Sequence, residues 1–428
     1  MNRKQRRELR KDKNLIIELY SIINKYLPEL FDKFENLTDV RHQSYITYNM
    51  KVICVTRLFG LICGLTALSN ISSDDFNTES CIKNISSICN TKLHELPYWE
   101  TIQDVFININ LTELRDIQKY IVKTLIRSKM FDKYRFNGCF QLLFDGTGLS
   151  NHDYNLNNNC LKRKHKDGKV SYYKYVLECK LVVGNIVISL DSEFIENNEM
   201  LTENQKQDCE TKAFKRMIKR IKKNYPKYKF IITGDGLYAT TPIINICKKY
   251  HWNYIFNLKP DKLKDLNETF EDNINYHNET TLENYYLSTN IEFNNNLLNV
   301  FKYIETKNSK ETTFRYITDL KIHDSNIQEI VALGRRRWKI ENQGFYTQKH
   351  RTFNISHLNS RNDNSMKCHY FFIQFAHTIR QLLELGNILT KSLKLKIKEV
   401  SSLLLKTLTS ITSDLNHLEK NFQLRFDD

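Results

Sequence analysis

The chain reads as an α/β protein. An all-α amino-terminal part precedes a mixed sheet of order βββαβαβ-α, which a β-rich insertion interrupts before its last helix. Three observations predict this. Apolar residues recur at helical spacing through residues 1–135. From about residue 138 the pattern changes to short apolar or alternating runs. Two of those runs, 141–145 and 229–235, stop at Asp-Gly, as central strands do when they deliver a carboxylate to the end of a sheet.

Taken in order, residues 15–30 alternate apolar and polar positions with a helical period, and the apolar stretch 52–68 follows. Residues 111–130 then place Leu114, Ile117, Tyr120 and Ile121 on one side of a helix. Ser69-Asn-Ile-Ser-Ser-Asp-Asp75 is a turn whose Ser and Asp can cap what comes next. The 52–68 stretch is at the short limit for a membrane span and contains Arg57, so a buried helix is expected. Beyond 138 come strand 141–145, a polar loop with Lys162-Arg-Lys-His-Lys166, and strands near 173–183 and 186–195 turning at Gly184-Asn185. A helix over 208–224 buries Phe214, Met217, Ile218 and Ile221; strand 229–235, helix 241–250 and strand 253–258 complete the order. The last helix should follow directly. Instead further strand-like runs intervene, Val300-Phe-Lys-Tyr-Ile-Glu305 and Phe314-Arg-Tyr-Ile-Thr-Asp-Leu320 among them, and they suggest an inserted β subdomain over 260–322. An apolar helix at 364–386 should cover the core. The expected division is a helical domain 1–135 with a basic arm, a mixed-sheet domain in two parts, 136–259 and 323–386, around the insertion, and a helical tail 387–428.

At 428 residues with a formal charge of +15, the chain favours a polyanionic partner. The charge is uneven: residues 1–13 carry seven Lys/Arg against two acids, and residues 211–229 carry nine and no acid. The helix over 212–223 is either a solvated outer face or a track for a polyanion. Ten Cys without a Cys-x-x-Cys pair suit a reducing cytoplasm and argue against a zinc site. His369 and His377, on an apolar helix, read as core residues.

Chemistry concentrates in Gly334-Arg-Arg-Arg-Trp-Lys-Ile-Glu-Asn-Gln-Gly-Phe-Tyr-Thr-Gln-Lys349, where Glu341 is the one acid among five basic side chains. On a helix Arg337 lies on its face, four residues before it. Asp145 and Asp235, alone, are ordinary Asp-Gly turn residues. With Glu341 they form a set of three carboxylates, two at strand tips and one on a later helix. Hard divalent cations take oxygen ligands, and two of them about 4 Å apart can hold the attacking and leaving oxygens of one phosphodiester. Other acids compete for the third place: Glu178, which shares a strand face with Lys180 as an ordinary solvent-facing pair; Asp191; Asp208, at a helix cap with Glu210 in the first turn; and Asp319, at the end of a strand of the insertion. Arg337 either only pairs with Glu341 or grips a phosphate through its planar fork. Trp338 is either core or a stacking surface for a base.

Asp145-Gly-Thr-Gly148, Lys206-Gln-Asp-Cys-Glu210 with Ala213-Phe-Lys-Arg216, Gly234-Asp-Gly-Leu-Tyr238, Arg335-Arg-Arg-Trp-Lys-Ile-Glu-Asn342 and Arg41-His-Gln-Ser-Tyr-Ile-Thr-Tyr48 carry a resemblance. Over roughly residues 40–385 the chain resembles the DDE transposases of bacterial insertion sequences, whose catalytic domain is ribonuclease H-like. Their branch signature is Tyr-x-x-Arg-x-x-x-Glu-x-x-x-x-x-x-Lys. Arg337 and Glu341 fit it, Gly334 stands at the Tyr position, and the Lys falls one residue late, at Lys349, with Gln348 in its place.

The resemblance implies Asp145, Asp235 and Glu341 as catalytic ligands of two Mg²⁺, with Mn²⁺ able to substitute. It implies double-stranded DNA, both terminal inverted repeats and target, as partner, a homodimer on DNA, and a cytoplasmic place beside the nucleoid. Arg337, Lys349, Arg335 and Trp338 are the expected DNA contacts, and 1–135 the repeat-reading part. A nuclease of the same fold without strand transfer, and a catalytically silent DNA-binding descendant, stay open as alternatives.

Overall fold

The computed structural model describes residues 14–197, 207–260, 263–274, 276–279, 283–387, 397–415 and 422–426. The basic arm 1–13 and Lys206 lie outside the described residues. The first part is helical: α1 (Leu15–Tyr26), α2 (Leu30–Glu35), α3 (Met50–Ile62), α4 (Glu79–Cys89), α5 (Trp99–Asn108) and α6 (Leu111–Arg127). Asn14, Asn49, Thr78 and Asn110 start α1, α3, α4 and α6 by accepting hydrogen bonds from first-turn amides. Arg57 is fully buried in α3, where its guanidinium donates to the Leu65 and Thr66 carbonyls and to Asn359. Among the described residues no helix is long and apolar enough to cross a membrane.

The sheet begins with β1 (Phe140–His152), β2 (Leu161–Lys164), β3 (Val170–Val183) and β4 (Ile186–Ile195), followed by α7 (Glu210–Asn224), β5 (Phe230–Gly234), α8 (Thr241–Tyr250) and β6 (Asn253–Asn257). β1, β5 and β6 run parallel, and β3 lies antiparallel to β1. The insertion contributes α9 (Lys264–Asp272), β7 (Tyr276–Glu279), β8 (Glu283–Phe293), β9 (Asn296–Lys307) and β10 (Lys310–Thr318). The expectation of an inserted subdomain needs amending here. β10 pairs antiparallel with β6, so the strands continue the same sheet in the order β2-β3-β1-β5-β6-β10-β9-β8-β7, with β4 also on β3. Alternation along a strand reports its two faces but not which edge it will join.

Beyond the sheet come α10 (Ile327–Arg335), a π-helical segment (Ile340–Phe345), α11 (Tyr346–His350), α12 (Asp363–Glu384) and α13 (Ile397–Ser410). α12 is buried around most of its circumference, which suits its apolar composition. It packs on β4 on one side and on α1, α3, α5 and α6 on the other. Phe372 stacks at 5.5 Å on Phe34 and 4.9 Å on Phe106. α13 packs on α1 and α4. The amino-terminal helices, the sheet and the last helix therefore share one continuous apolar core.

Candidate active site

The alternation of β1 decides where its acid points. Phe144 packs edge-on against Phe214 of α7 at 4.8 Å. Leu143 faces the other way, into a cluster with Val182, Val187, Ile340 and Phe345. Asp145 lies two residues beyond Leu143 and shares that face, the one that carries the π segment. Leu143 is paired in parallel with Thr233. Asp145 stands two residues beyond Leu143 in β1, and Asp235 two beyond Thr233 and one past the end of β5, so the two acids stand at one level on neighbouring strands. Asp235 is held by an Asx turn, its Oδ1 accepting from the Leu237 amide at 2.8 Å, with Lys259 Nζ 3.9 Å away.

Glu341 reaches this place from the π segment. Arg337 Nη1 donates to Glu341 Oε1 at 2.8 Å and stands 3.9 Å from Asp145 Oδ2. One guanidinium nitrogen thus fills the gap between two of the three predicted carboxylates. Arg337 is buried, its plane rests on the Trp338 ring at 4.5 Å, and its Nε finds no partner among the described residues. Burial pushes the Asp145 carboxyl up to about 7; Arg337 opposes this, while Glu341 and Glu210 add to it. Lys349 belongs here too: burial pulls its ammonium below the usual lysine range, and Asp145 partly restores it.

The late lysine has a structural reason. The helix from Ile340 to Phe345 closes i→i+5 bonds, such as the Tyr346 amide to the Glu341 carbonyl. A π turn takes up one more residue than an α turn. Eight residues after Glu341 therefore reach the angular position that seven reach in an α-helix. Lys349 feels Asp145, whereas Gln348 points inward, fully buried, donating to Gln374 Oε1 at 2.8 Å and contacting His377 Nδ1 at 2.9 Å.

The rival acids are accounted for elsewhere. Asp319 accepts from the Tyr254 amide at 2.9 Å and from Asn253 at 3.1 Å. Asn253 is level with Ile231, four residues below Asp235, or about 13 Å down the sheet. Asp191 pairs with Arg220, and Asp208 with Arg216. These pairs, with Glu193, also neutralise part of the basic face of α7. Glu178 and Lys180 are not a solvent-facing pair. Both are fully buried at 3.0 Å, with Ser189, Ser192 and Tyr370 on the carboxylate and Gln374 on the ammonium. Arg335, expected at DNA, forms a bidentate pair with Glu305 of β9 at 2.9 and 3.0 Å, and stacks over Phe314 and Tyr303. It braces α10 against the insertion strands. Trp338 is exposed.

One carboxylate at the site was read from sequence only as a first-turn residue. Glu210 accepts from the Tyr175 hydroxyl at 3.0 Å and the Tyr238 hydroxyl at 3.3 Å, and burial raises its carboxyl above the usual range. The signal that could have found it was the pair of glycines beside the two aspartates, Gly146 and Gly234, which leave room for these side chains.

Among the described residues no three His, Cys, Asp or Glu side chains converge closely enough to hold an ion together. The donor chemistry nonetheless suits a hard cation. The carboxylates offer oxygens only, and Asp145 is raised chiefly by burial, with Arg337 opposing and Glu341 and Glu210 adding, a cost that a bound cation would offset.

A mixed sheet that carries Asp145 within β1 and Asp235 just past β5, with Glu341 brought towards the first by a later helix, is consistent with a ribonuclease H-like transposase fold. The chain belongs to the transposase DDE domain family, whose model matches residues 142–379, more than half of the chain. It is a DDE transposase. No curated protein matches the chain.

Proposed function

We propose that this transposase binds the terminal inverted repeats of its element, cleaves the DNA ends and joins the freed 3′ ends to target DNA. The observation that supports the reading is the Arg337 guanidinium between Asp145 and Glu341, with Lys349 beside Asp145 and Asp235 level with Asp145 on the neighbouring strand. Asp145, Asp235 and Glu341 would hold two Mg²⁺, or Mn²⁺, which supply an activated water or 3′ hydroxyl and stabilise the leaving oxygen. Arg337 has an unused Nε and a planar fork, suited to two oxygens of one phosphate. Lys349 adds a second cation beside the same strand. Trp338 offers a face on which an end base can stack. The helices of 1–135 would read the repeat, the arm 1–13 would add phosphate contacts, and two chains would meet on paired ends.

The test is a cleavage and strand-transfer assay on DNA carrying the element's ends. Asp145→Asn, Asp235→Asn and Glu341→Gln should each lower Mg²⁺-dependent cleavage about 10³-fold or more, since each removes an anionic oxygen from a site worth several kcal/mol at the transition state. Repeat binding should stay within a few fold. Cleavage without joining would identify a nuclease instead. Full activity in Glu341→Gln would remove the third ligand.

A further inference from the structure

The two aspartates stand at one level on neighbouring strands, and a second set of side chains stands beside the glycines next to them. Gly146 and Gly234 point to the opposite face, towards α7. A Cβ on Gly146 would meet the Tyr175 ring at 2.5 Å and Glu210 Oε1 at 2.6 Å; one on Gly234 would meet the Tyr238 ring at 2.5 Å. Tyr175 belongs to β3, Glu210 is the first residue of α7, and Tyr238 follows β5. Both tyrosine hydroxyls donate to the one carboxylate. Tyr238 is fully buried and packs edge-on against Phe214 at 5.3 Å.

We infer that Tyr175, Glu210 and Tyr238 form a clasp that positions Asp145 and Asp235: Glu210 ties β3, whose Tyr175 is paired with Gly148 of β1, to the turn after β5, and so sets the spacing of the two acids. The role rests on the proposed function, since that spacing matters only if the acids work together. Glu210 is a positioning residue rather than a ligand, because its carboxylate is already engaged by two tyrosine hydroxyls. The glycines follow from the same device. Any side chain at either would push the tyrosine or the carboxylate off the strand tip. The location at the amino end of α7 also suits a carboxylate, since unpaired helix amides lie there.

The experiment compares Glu210→Ala with Glu210→Gln in the full chain. A Gln amide accepts from one tyrosine hydroxyl and donates to the other, so it keeps the clasp, whereas Ala removes it. Hydrogen exchange without metal, read on peptides covering 142–148 and 233–239, should rise about tenfold in Glu210→Ala, as expected for the loss of charge-assisted hydrogen bonds, and stay near wild type in Glu210→Gln. Mn²⁺ binding, followed by electron paramagnetic resonance without DNA, should weaken about tenfold in Glu210→Ala and less than threefold in Glu210→Gln. Tyr238→Phe removes a hydroxyl and no bulk. It should raise exchange at both tips by itself, and should add nothing to Glu210→Ala. Unchanged exchange at the tips in Glu210→Ala would overturn the clasp. Equal loss of Mn²⁺ in Ala and Gln would also overturn it, by making Glu210 a ligand. A wild-type chain that bound no Mn²⁺ would defeat the proposed function, while the exchange measurement would still decide the clasp.

Discussion

Exchanging two neighbours, Gln348→Lys with Lys349→Gln, restores the spacing of the branch signature on paper and should damage the protein. The fully buried Gln348 amide donates to Gln374 Oε1, which already accepts from Lys180 Nζ at 2.8 Å. A lysine there would bring a second ammonium to the same acceptor, beside His377, whose ring is already held neutral by burial and by Lys180 and Arg380. An unpaired buried charge costs about 3–5 kcal/mol, and the site would lose its cation as well. Deleting Asn342 restores the same spacing differently. It removes the extra residue of the π turn, lets the helix close i→i+4 bonds, and leaves Gln348 inward and Lys349 at Asp145. That variant should stay within about 1 kcal/mol of wild type, because only an exposed residue is lost. Urea unfolding of both variants, with Mg²⁺-dependent cleavage alongside, measures the contrast. A swap as stable as wild type, or a deletion as damaging as the swap, would refute the argument from the π turn.

Further outcomes follow from other contacts. Arg337→Lys keeps the charge near Glu341 but cannot reproduce a fork. Nicking should persist at a reduced level while joining falls further, about tenfold or more for one lost charge-assisted bond; equal loss at every step would mean a role in metal binding or folding. Lys180→Met leaves Glu178 buried without its cation and should cost about 3–5 kcal/mol, much of it recovered in Glu178→Gln/Lys180→Met; denaturant midpoints decide. Asp145 sits at about 7 in the folded chain against an ordinary 3.8. A raised acid makes the unfolded state bind fewer protons across that window, so metal-free stability falls as pH rises from about 4 to 7. Asp145→Asn lacks that contribution, so in chelator its Tm should fall less over that range than that of wild type, the other raised acids being common to both; parallel curves would contradict the assignment.

Several features were legible from local pattern alone. The helices of the first part, the Gly184-Asn185 hairpin, α8 at 241–250 and the strand leading to Asp235 follow from periodicity and turn chemistry, whereas β1 does not stop at Asp145-Gly146 but runs on to His152 through its pairing with β3. Periodicity and turn chemistry depend on residues a few positions apart. The i,i+4 pairing of Arg337 with Glu341 was equally local. Solvent exposure was not. Glu178 and Lys180 alternate like an exposed pair, and only the arrival of α12 over that face buries them.

By itself, then, the sequence determined the order of the elements that carry the three candidate acids and the family to which the chain belongs, because residue type and spacing encode helix faces and strand runs. Tertiary structure alone decided that the insertion extends the main sheet, that Asp319 bonds at Asn253 and Tyr254 far down it from Asp235, that Arg335 pairs with Glu305, and that Glu210 bonds the hydroxyls of Tyr175 and Tyr238. Each of those outcomes depends on which distant segments meet. Such contacts are set by packing over the whole core, and no short window of sequence contains both partners.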